Sequence, residues 1–335
     1  MKLAKILFRC DVSNEIGFGH MKRCLNLAYW LRGKYEVAFV TQKTKEAQDI
    51  LKHTEFEVFF LKKDATGEEV HERMRALCAE WLPKVVVTDV KDTIPEYVTV
   101  METAKVRTVH FDDLGKGGEA ADVLIDANRR ENKKKFFGPR YVVLHAEYAK
   151  QHKKQRQLHK QVKNILVAIG GGDPHNYTDR ILECLCKIGN GFNIVAVIGP
   201  TAAHGSELKK KWKNHEHVCF LEYADTLVKP LLWADCAIVN GGITMFEALC
   251  LGTPTLTVAQ NEDEVKNIKR LERKNALLDI GPGAKVSVNK LTKRLKKMCD
   301  DGDYRAKVSS NAKETVDGQG IFRVLGVIER HARKR

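Results

Sequence analysis

The chain has 335 residues, 43% of them hydrophobic and 30% charged, with 57 Lys and Arg against 43 Asp and Glu for a formal charge of +14. That length suits two domains of ordinary size, and the composition excludes a disordered or fibrous protein. No apolar run approaches the roughly 18 residues a membrane helix needs, and the opening segment is too short for a signal-peptide core. A cytoplasmic protein without stable membrane insertion is therefore expected.

Nine cysteines form no C-x-x-C pair and are odd in number, which argues against a disulfide framework or a Cys-based zinc site and for a reducing compartment. The charge is concentrated. Residues 1–150 hold 26 basic and 23 acidic side chains, whereas the segment 129–163 carries 12 basic residues against Glu131 and Glu147, which is +10 of the +14. A nucleic-acid backbone is more often held by basic side chains spread over a folded face, so this segment reads as a solvated linker and no nucleic-acid partner is expected.

Along the chain, β-branched and aliphatic runs alternate with amphipathic stretches. Residues 4–10, 36–41, 58–62, 85–88, 106–111 and 123–125 read as strands, several of them nearly continuous hydrophobes of the kind parallel strands show when covered on both faces. Between the first two, Cys24, Leu27, Ala28 and Leu31 recur at helical spacing and Gly33 ends the helix. A polar stretch, 148–161, interrupts the pattern. The alternation then resumes with strand 164–169, a glycine turn, helix 179–188, and strands 194–198, 218–221, 236–239 and 255–258. The expected architecture is α/β, with two Rossmann-like domains facing a central cleft. Their expected limits are 1–150 and 163–335, joined by a linker at 151–162. The lysine-rich end, 290–335, is a closing element whose last helix is able to pack back on the first domain.

Three places carry the polar chemistry. In the first, strand residues Arg9-Cys10-Asp11 are followed by Gly17-Phe18-Gly19-His20, which puts His20 at the carboxyl end of the first strand and the start of a helix. The partial positive charge of a helix N-terminus disfavours imidazolium, leaving a neutral ring able to accept a proton. Asp11 or Glu15 could orient that ring; the plainer alternative is a polar helix cap. The second is Gly170-Gly171-Gly172-Asp173-Pro174, a turn whose amides can approach a phosphate, with the dipole of the next helix behind it. The third runs from Asn240-Gly241-Gly242-Ile243-Thr244 to Glu247 and on to Gly252-Thr253-Pro254. There the Gly241–Gly242 amides and Thr244 can hold a second phosphate, and Glu247 can face vicinal ribose hydroxyls. The plainer alternative for Glu247 is a solvated helix residue.

Taken in order, several motifs resemble the UDP-sugar hydrolase family of pseudaminic-acid biosynthesis and its spore-coat polysaccharide relatives. These are GT-B proteins close to the family 28 glycosyltransferases. The motifs are Arg9-x-Asp11, Gly17-x-Gly19-His20-x-x-Arg23-Cys24, Phe111-Asp112-Asp113, Gly138-Pro139-Arg140-Tyr141 with Leu144 and Glu147, Gly170–Pro174 and the Gly241–Pro254 block. The resemblance covers most of the chain and implies a UDP-sugar substrate with UDP on the C-terminal domain. It implies Glu247 at the ribose, Gly171 and Gly172 with Gly242–Thr244 at the pyrophosphate, and backbone near Ile198–Gly199 at the uracil. Gly17, Gly19, Arg23, Asp173 and Asn261 join them as substrate-binding residues. His20, with Asp11, would activate a water that attacks the anomeric carbon and expels UDP. The resemblance implies no cofactor and no metal, and it places the acidic pair Asp112-Asp113 in a structural or sugar-facing loop. A monomer or weak dimer is expected. The chain departs from the family pattern after Asp89, where Val90-Lys91-Asp92 brings no Tyr, at Gln260-Asn261-Glu262 in place of Asn-Gln, and at His145 in place of Arg. An inverting glycosyltransferase of the same fold, in which His20 deprotonates an acceptor hydroxyl, competes with the hydrolase, as does a non-catalytic nucleotide-sugar-binding protein.

Overall fold

The computed structural model describes residues 3–13, 16–129, 136–189, 191–199, 201–222 and 226–333. The chain divides into two units, Met1–Leu144 with Gln319–Arg335, and His145–Gly318.

The first unit runs β1 (Lys5–Cys10), α1 (Gly19–Leu31), β2 (Glu36–Gln42), α2 (Lys45–Leu51), β3 (Glu57–Leu61) and α3 (Gly67–Glu80). It continues with β4 (Val85–Asp89), α4 (Pro95–Thr103), β5 (Arg107–Phe111), α5 (Lys116–Ala120), β6 (Val123–Asp126) and the short β7 (Phe136–Phe137). These strands form one parallel sheet in the order β3-β2-β1-β4-β5-β6-β7. Hydrophobic continuity along the strands has a direct cause. Ile6, Phe8 and Cys10 of β1 face a core that includes Cys24, Leu27 and Leu31 of α1, whereas Leu7 and Val86 face Met74, Leu77 and Val98 on the other side. A strand covered on both faces has no solvent side to mark with polar residues.

The second unit opens with α6 (Ala146–His152), then β8 (Asn164–Ala168), α7 (Tyr177–Ile188), β9 (Asn193–Ile198), α8 (Gly205–Trp212), β10 (Val218–Glu222) and α9 (Val228–Trp233). It goes on through β11 (Cys236–Asn240), α10 (Ile243–Cys250), β12 (Thr255–Ala259), α11 (Glu262–Glu272), β13 (Leu278–Pro282), α12 (Val288–Asp300) and α13 (Gly302–Thr315). Its sheet is also parallel, in the order β10-β9-β8-β11-β12-β13. The last helix, α14 (Gly320–Arg333), belongs to the first unit, where Ile321, Val324 and Ile328 enter the α1 core. Gly320 permits that return, because a Cβ there would overlap the Val142 carbonyl.

The basic segment is not uniformly solvated. Arg156 donates to the Leu231 carbonyl at 3.1 Å, to Thr253 Oγ1 at 3.0 Å and to the Ala234 carbonyl, so it caps the C-terminal end of α9. Burial brings its pKa down to about 10. His159 Nδ1 lies 2.6 Å from Asp235, whose other oxygen takes the amides of Lys163 and Asn164. Helix ends and strand starts leave backbone groups that need partners, and these side chains supply them. Arg130 and Lys133–Lys135 lie outside the described residues.

Arg305 is 2% exposed and donates to the carbonyls of Met298, Cys299, His159 and Lys160, tying the end of α12 to that same segment. Arg305→Met should remove a buried guanidinium from four carbonyl acceptors and cost roughly 2–4 kcal/mol. A thermal melt checks this; an unchanged midpoint would mean that the clamp does not hold the second unit together.

Candidate active site

In a parallel sheet, ligands are met at the carboxyl ends of strands where the strand order reverses. In the first unit that point lies between β1 and β4, with Cys10 opposite Asp89 in the register. After β1 the chain turns through Gly17, whose positive φ of 85° suits glycine and whose amide donates to Ser13 at 2.8 Å. Gly19 and His20 then open α1, where no side chain caps the helix and no acidic residue sits in the first turn.

His20 Nδ1 lies 2.6 Å from Asp89 Oδ1, and among the described residues its Nε2 has no partner. Asp89, 1% exposed, also takes a fork from Arg23, with Nε at 2.7 Å and Nη2 at 2.6 Å. The remaining guanidinium nitrogen of Arg23 reaches Asp112 Oδ2 at 2.5 Å, and its plane lies 4.8 Å over Phe111. Burial by itself would raise the Asp89 carboxyl, but Arg23 and His20 more than reverse that and hold it below the usual carboxylate range. Burial likewise disfavours the charge on Arg23, and Asp89 and Asp112 together raise its pKa well above the ordinary value.

The carboxylate beside His20 is thus Asp89 and not Asp11. Asp11 is bound by both Nη atoms of Arg9 at 2.6 and 2.7 Å and accepts the Gln42 amide at 2.9 Å. The Gln42 bond ties the end of β1 to the end of β2, and both Asp11 oxygens are engaged away from the His20 ring. Glu15 lies outside the described residues. The pair Asp112-Asp113 is likewise divided. Asp112 faces Arg23, whereas Asp113 takes His110 Nδ1 at 2.8 Å, the Thr93 hydroxyl and the Gly115 amide.

In the second unit the strand order reverses between β8 and β11, so the two glycine turns lie side by side. They are not equivalent. Asp173 sits at the N-terminus of α7, where its two oxygens accept the Tyr177 and Thr178 amides at 2.8 Å each. An internal carboxylate therefore already occupies the helix end that was expected to face a phosphate, and Asp173 is a cap. At α10 the first turn holds no acidic residue and the N-cap Gly242 brings no side chain, so this helix end is open to an anion. Gly170 has φ 87°, and Gly199 lets β9 approach it closely, since a Cβ there would overlap the Gly171 backbone. Ile198 and Gly199 line a shallow depression with Gly170, Asp173 and Leu208.

Glu247 is 5% exposed and therefore no solvated residue, and its carboxylate pushes up the pKa of the buried Tyr148 hydroxyl beside it, adding to the effect of burial. Thr244 is also buried. Asn261 is exposed and caps α11 by accepting the Glu264 amide at 2.9 Å. Glu264, unremarkable in the sequence, binds the Asn240 amide group at 3.0 Å, the Gly241 amide at 3.2 Å and the Gln260 amide at 2.8 Å. Gln260 in turn donates to the Ile169 carbonyl at 2.6 Å, so one carboxylate and one amide join the ends of β8, β11 and β12.

The chain folds as do the GT-B glycosyltransferases. Acinetobacter baumannii MurG superposes with a TM-score of 0.74 at 13% identity, covering 98% of this chain and 99% of MurG. Os79 from O. sativa in complex with UDP superposes with a TM-score of 0.69 at 13% identity, covering 98% and 100%. Residues 146–320 match the glycosyltransferase family 28 C-terminal domain, and the chain belongs to that family. It is 24% identical over 329 residues to spore coat polysaccharide biosynthesis protein SpsG of Bacillus subtilis, covering 95% of this chain and 96% of SpsG. It is 31% identical over 276 residues to an uncharacterized protein of Methanocaldococcus jannaschii, covering 77% of this chain but only 56% of that protein. Among the described residues no helix is long and apolar enough to cross a membrane.

A carboxylate whose folded pKa is depressed stabilises the fold above its unfolded pKa near 4, and that contribution is lost as pH falls further. Asp89→Asn should therefore lower the melting temperature at neutral pH yet flatten its decline below about pH 4. Melting curves from pH 7 to 2.5 test this, and parallel declines in the two proteins would contradict the Asp89–Arg23 pairing.

Proposed function

We propose that the chain is a nucleotide-sugar hydrolase that releases UDP from a UDP-linked acetamido deoxy sugar, serving surface polysaccharide or nonulosonic acid biosynthesis. The observation that carries this reading is His20, held through Nδ1 by the buried Asp89 and, among the described residues, without a partner at Nε2. An ionised carboxylate on Nδ1 selects the tautomer that carries its proton there, which leaves Nε2 as the basic nitrogen. Nε2 takes a proton from water as the water oxygen bonds to the anomeric carbon. The bond from that carbon to the diphosphate oxygen breaks, and UDP leaves with the electron pair.

The open N-terminus of α10, with Gly242 and Thr244, suits the diphosphate charge, since fixed amides stabilise charge without reorganising. Glu247 suits the ribose hydroxyls, and the depression at Ile198–Gly199 suits the uracil. The UDP complex of Os79, which shares this fold, and the polysaccharide role in the name of SpsG agree with a UDP-sugar substrate. A second reading, an inverting glycosyltransferase, is favoured by the family 28 match, because the same base would serve an acceptor hydroxyl equally well.

UDP release from candidate UDP-amino sugars, measured with no acceptor alcohol present, separates the two. Release in water alone supports the hydrolase; release that waits for an added acceptor supports the transferase. His20→Ala should cut turnover roughly 100- to 10,000-fold with UDP affinity retained. Glu247→Ala should weaken UDP binding roughly 10- to 100-fold, the loss of a charge-assisted hydrogen bond. Calorimetric titration with UDP reads the second effect, and an unaltered affinity would remove Glu247 from the ribose.

A further inference from the structure

Arg23 joins Asp89 to Asp112, and beyond Asp112 stands another carboxyl group. Asp112 follows β5 and Asp126 ends the neighbouring β6; the Asp112 amide donates to the Ile125 carbonyl at 2.9 Å. Asp112 adopts φ 45°, a left-handed conformation that non-glycine residues hold only where their surroundings enforce it. That turn gives Oδ2 to Arg23. The other oxygen, Oδ1, is buried and accepts no N–H or O–H among the described residues.

Asp126 is 2% exposed, and burial, with the neighbouring Asp112 carboxylate, raises its pKa. Its oxygens also accept the Asn128 amide at 2.8 Å, the Arg129 amide at 3.1 Å and Arg129 Nε at 2.8 Å. Among the described residues the charged groups beside Asp126 are Asp112 and Arg129, and Arg23 stands on the far side of Asp112. Two ionised carboxylates side by side and largely shielded from water repel each other even with Arg23 and Arg129 at their outer sides. One proton between them removes the repulsion and supplies the donor that Oδ1 lacks.

We propose that Asp126 and Asp112 share one proton, Asp126 donating to Asp112 Oδ1, and that the pair positions His20 through Arg23 and Asp89. Both are positioning residues, since neither touches the reacting atoms, and their effect on turnover rests on the reading of His20 as the base. Burial and the neighbouring Asp112 push the Asp126 carboxyl up to about 6, in accord with a retained proton. When that proton leaves, Asp126 becomes a second carboxylate beside the one that holds Arg23. Arg23 is drawn from Asp89, and His20 loses its fixed orientation.

The test compares the full-length wild type with Asp126→Asn, whose amide donates to Asp112 at every pH. A carboxyl whose folded pKa lies above its unfolded value near 4 stabilises the fold at low pH, and that contribution is lost as pH rises between the two. The wild-type melting temperature should therefore fall relative to Asp126→Asn from about pH 4 to 6. Parallel curves over that range overturn the shared proton, whatever the activity. In the UDP-release assay the wild-type kcat should decline as pH rises through about 6 with KM unchanged, and Asp126→Asn should lack that decline. A decline shared by both proteins overturns the positioning role. A melting difference with no UDP release by either protein upholds the shared proton and removes the hydrolase. Should Asp126→Asn fail to fold, carbon-13 titration of the wild-type Asp carboxyls decides, with one midpoint near 6 expected and none above the ordinary range as the contrary result.

Discussion

A buried carboxylate at the end of a central strand has to be neutralised before it can be used, and Asp89 is the group on which the first unit depends. Left alone in that position it would take up a proton and offer nothing to a neighbouring ring. Arg23 prevents this with two nitrogens on Asp89 and a third on Asp112. The ion pair is possible because β1 and β4 are adjacent, so the helix that follows β1 passes over the end of β4. His20 and Arg23 stand three residues apart on that helix, one turn of one face, and both meet Asp89. Sheet order, helix period and charge balance converge on one ring nitrogen.

The second unit reaches a comparable result with backbone in place of buried charge. Both of its glycine turns precede a helix, yet the sequence fills the mouth of one with Asp173 and leaves the other to Gly242. A helix end occupied by its own carboxylate repels a phosphate, whereas one bounded by glycine presents amides and no charge. The unequal treatment of two similar turns leaves α10, and not α7, with an uncapped N-terminus. Glu264 stands behind this arrangement, holding the Gly241 amide while no side chain caps the α10 N-terminus.

The α/β class and the alternation of strands and helices were legible because strands such as Val85–Asp89 are covered on both faces and show continuous hydrophobicity. The position of His20 at the start of α1 was legible too, from a strand, a glycine turn and a helical period in immediate succession. Its partner was not. Asp89 lies 69 residues further along, and only the crossover that inserts β4 beside β1 makes them neighbours. A local reading favours Asp11, which is nearer in sequence but bound by Arg9, two residues away on the same strand. Glycine turns were legible as turns, whereas the occupation of α7 by Asp173 depends on a backbone angle that sequence does not display. The charge of 129–163 misled for a similar reason, since Arg156 meets carbonyls that become neighbours only after folding.

Asp112 and Asp173 share a further property. Each follows a strand of its sheet, and each adopts a left-handed backbone, with φ of 45° and 41°. Glycine would hold that conformation more readily, but glycine brings no carboxylate. Asp tolerates it better than most residues, and its short side chain folds back toward nearby amides or cations. In Asp173 the strained angle aims both oxygens at the α7 amides, and in Asp112 it aims one at Arg23. The backbone cost at each turn is offset by a carboxylate set against amides in one case and a guanidinium in the other. The same local device therefore serves opposite ends, closing a helix to anions in one unit and fixing a guanidinium in the other.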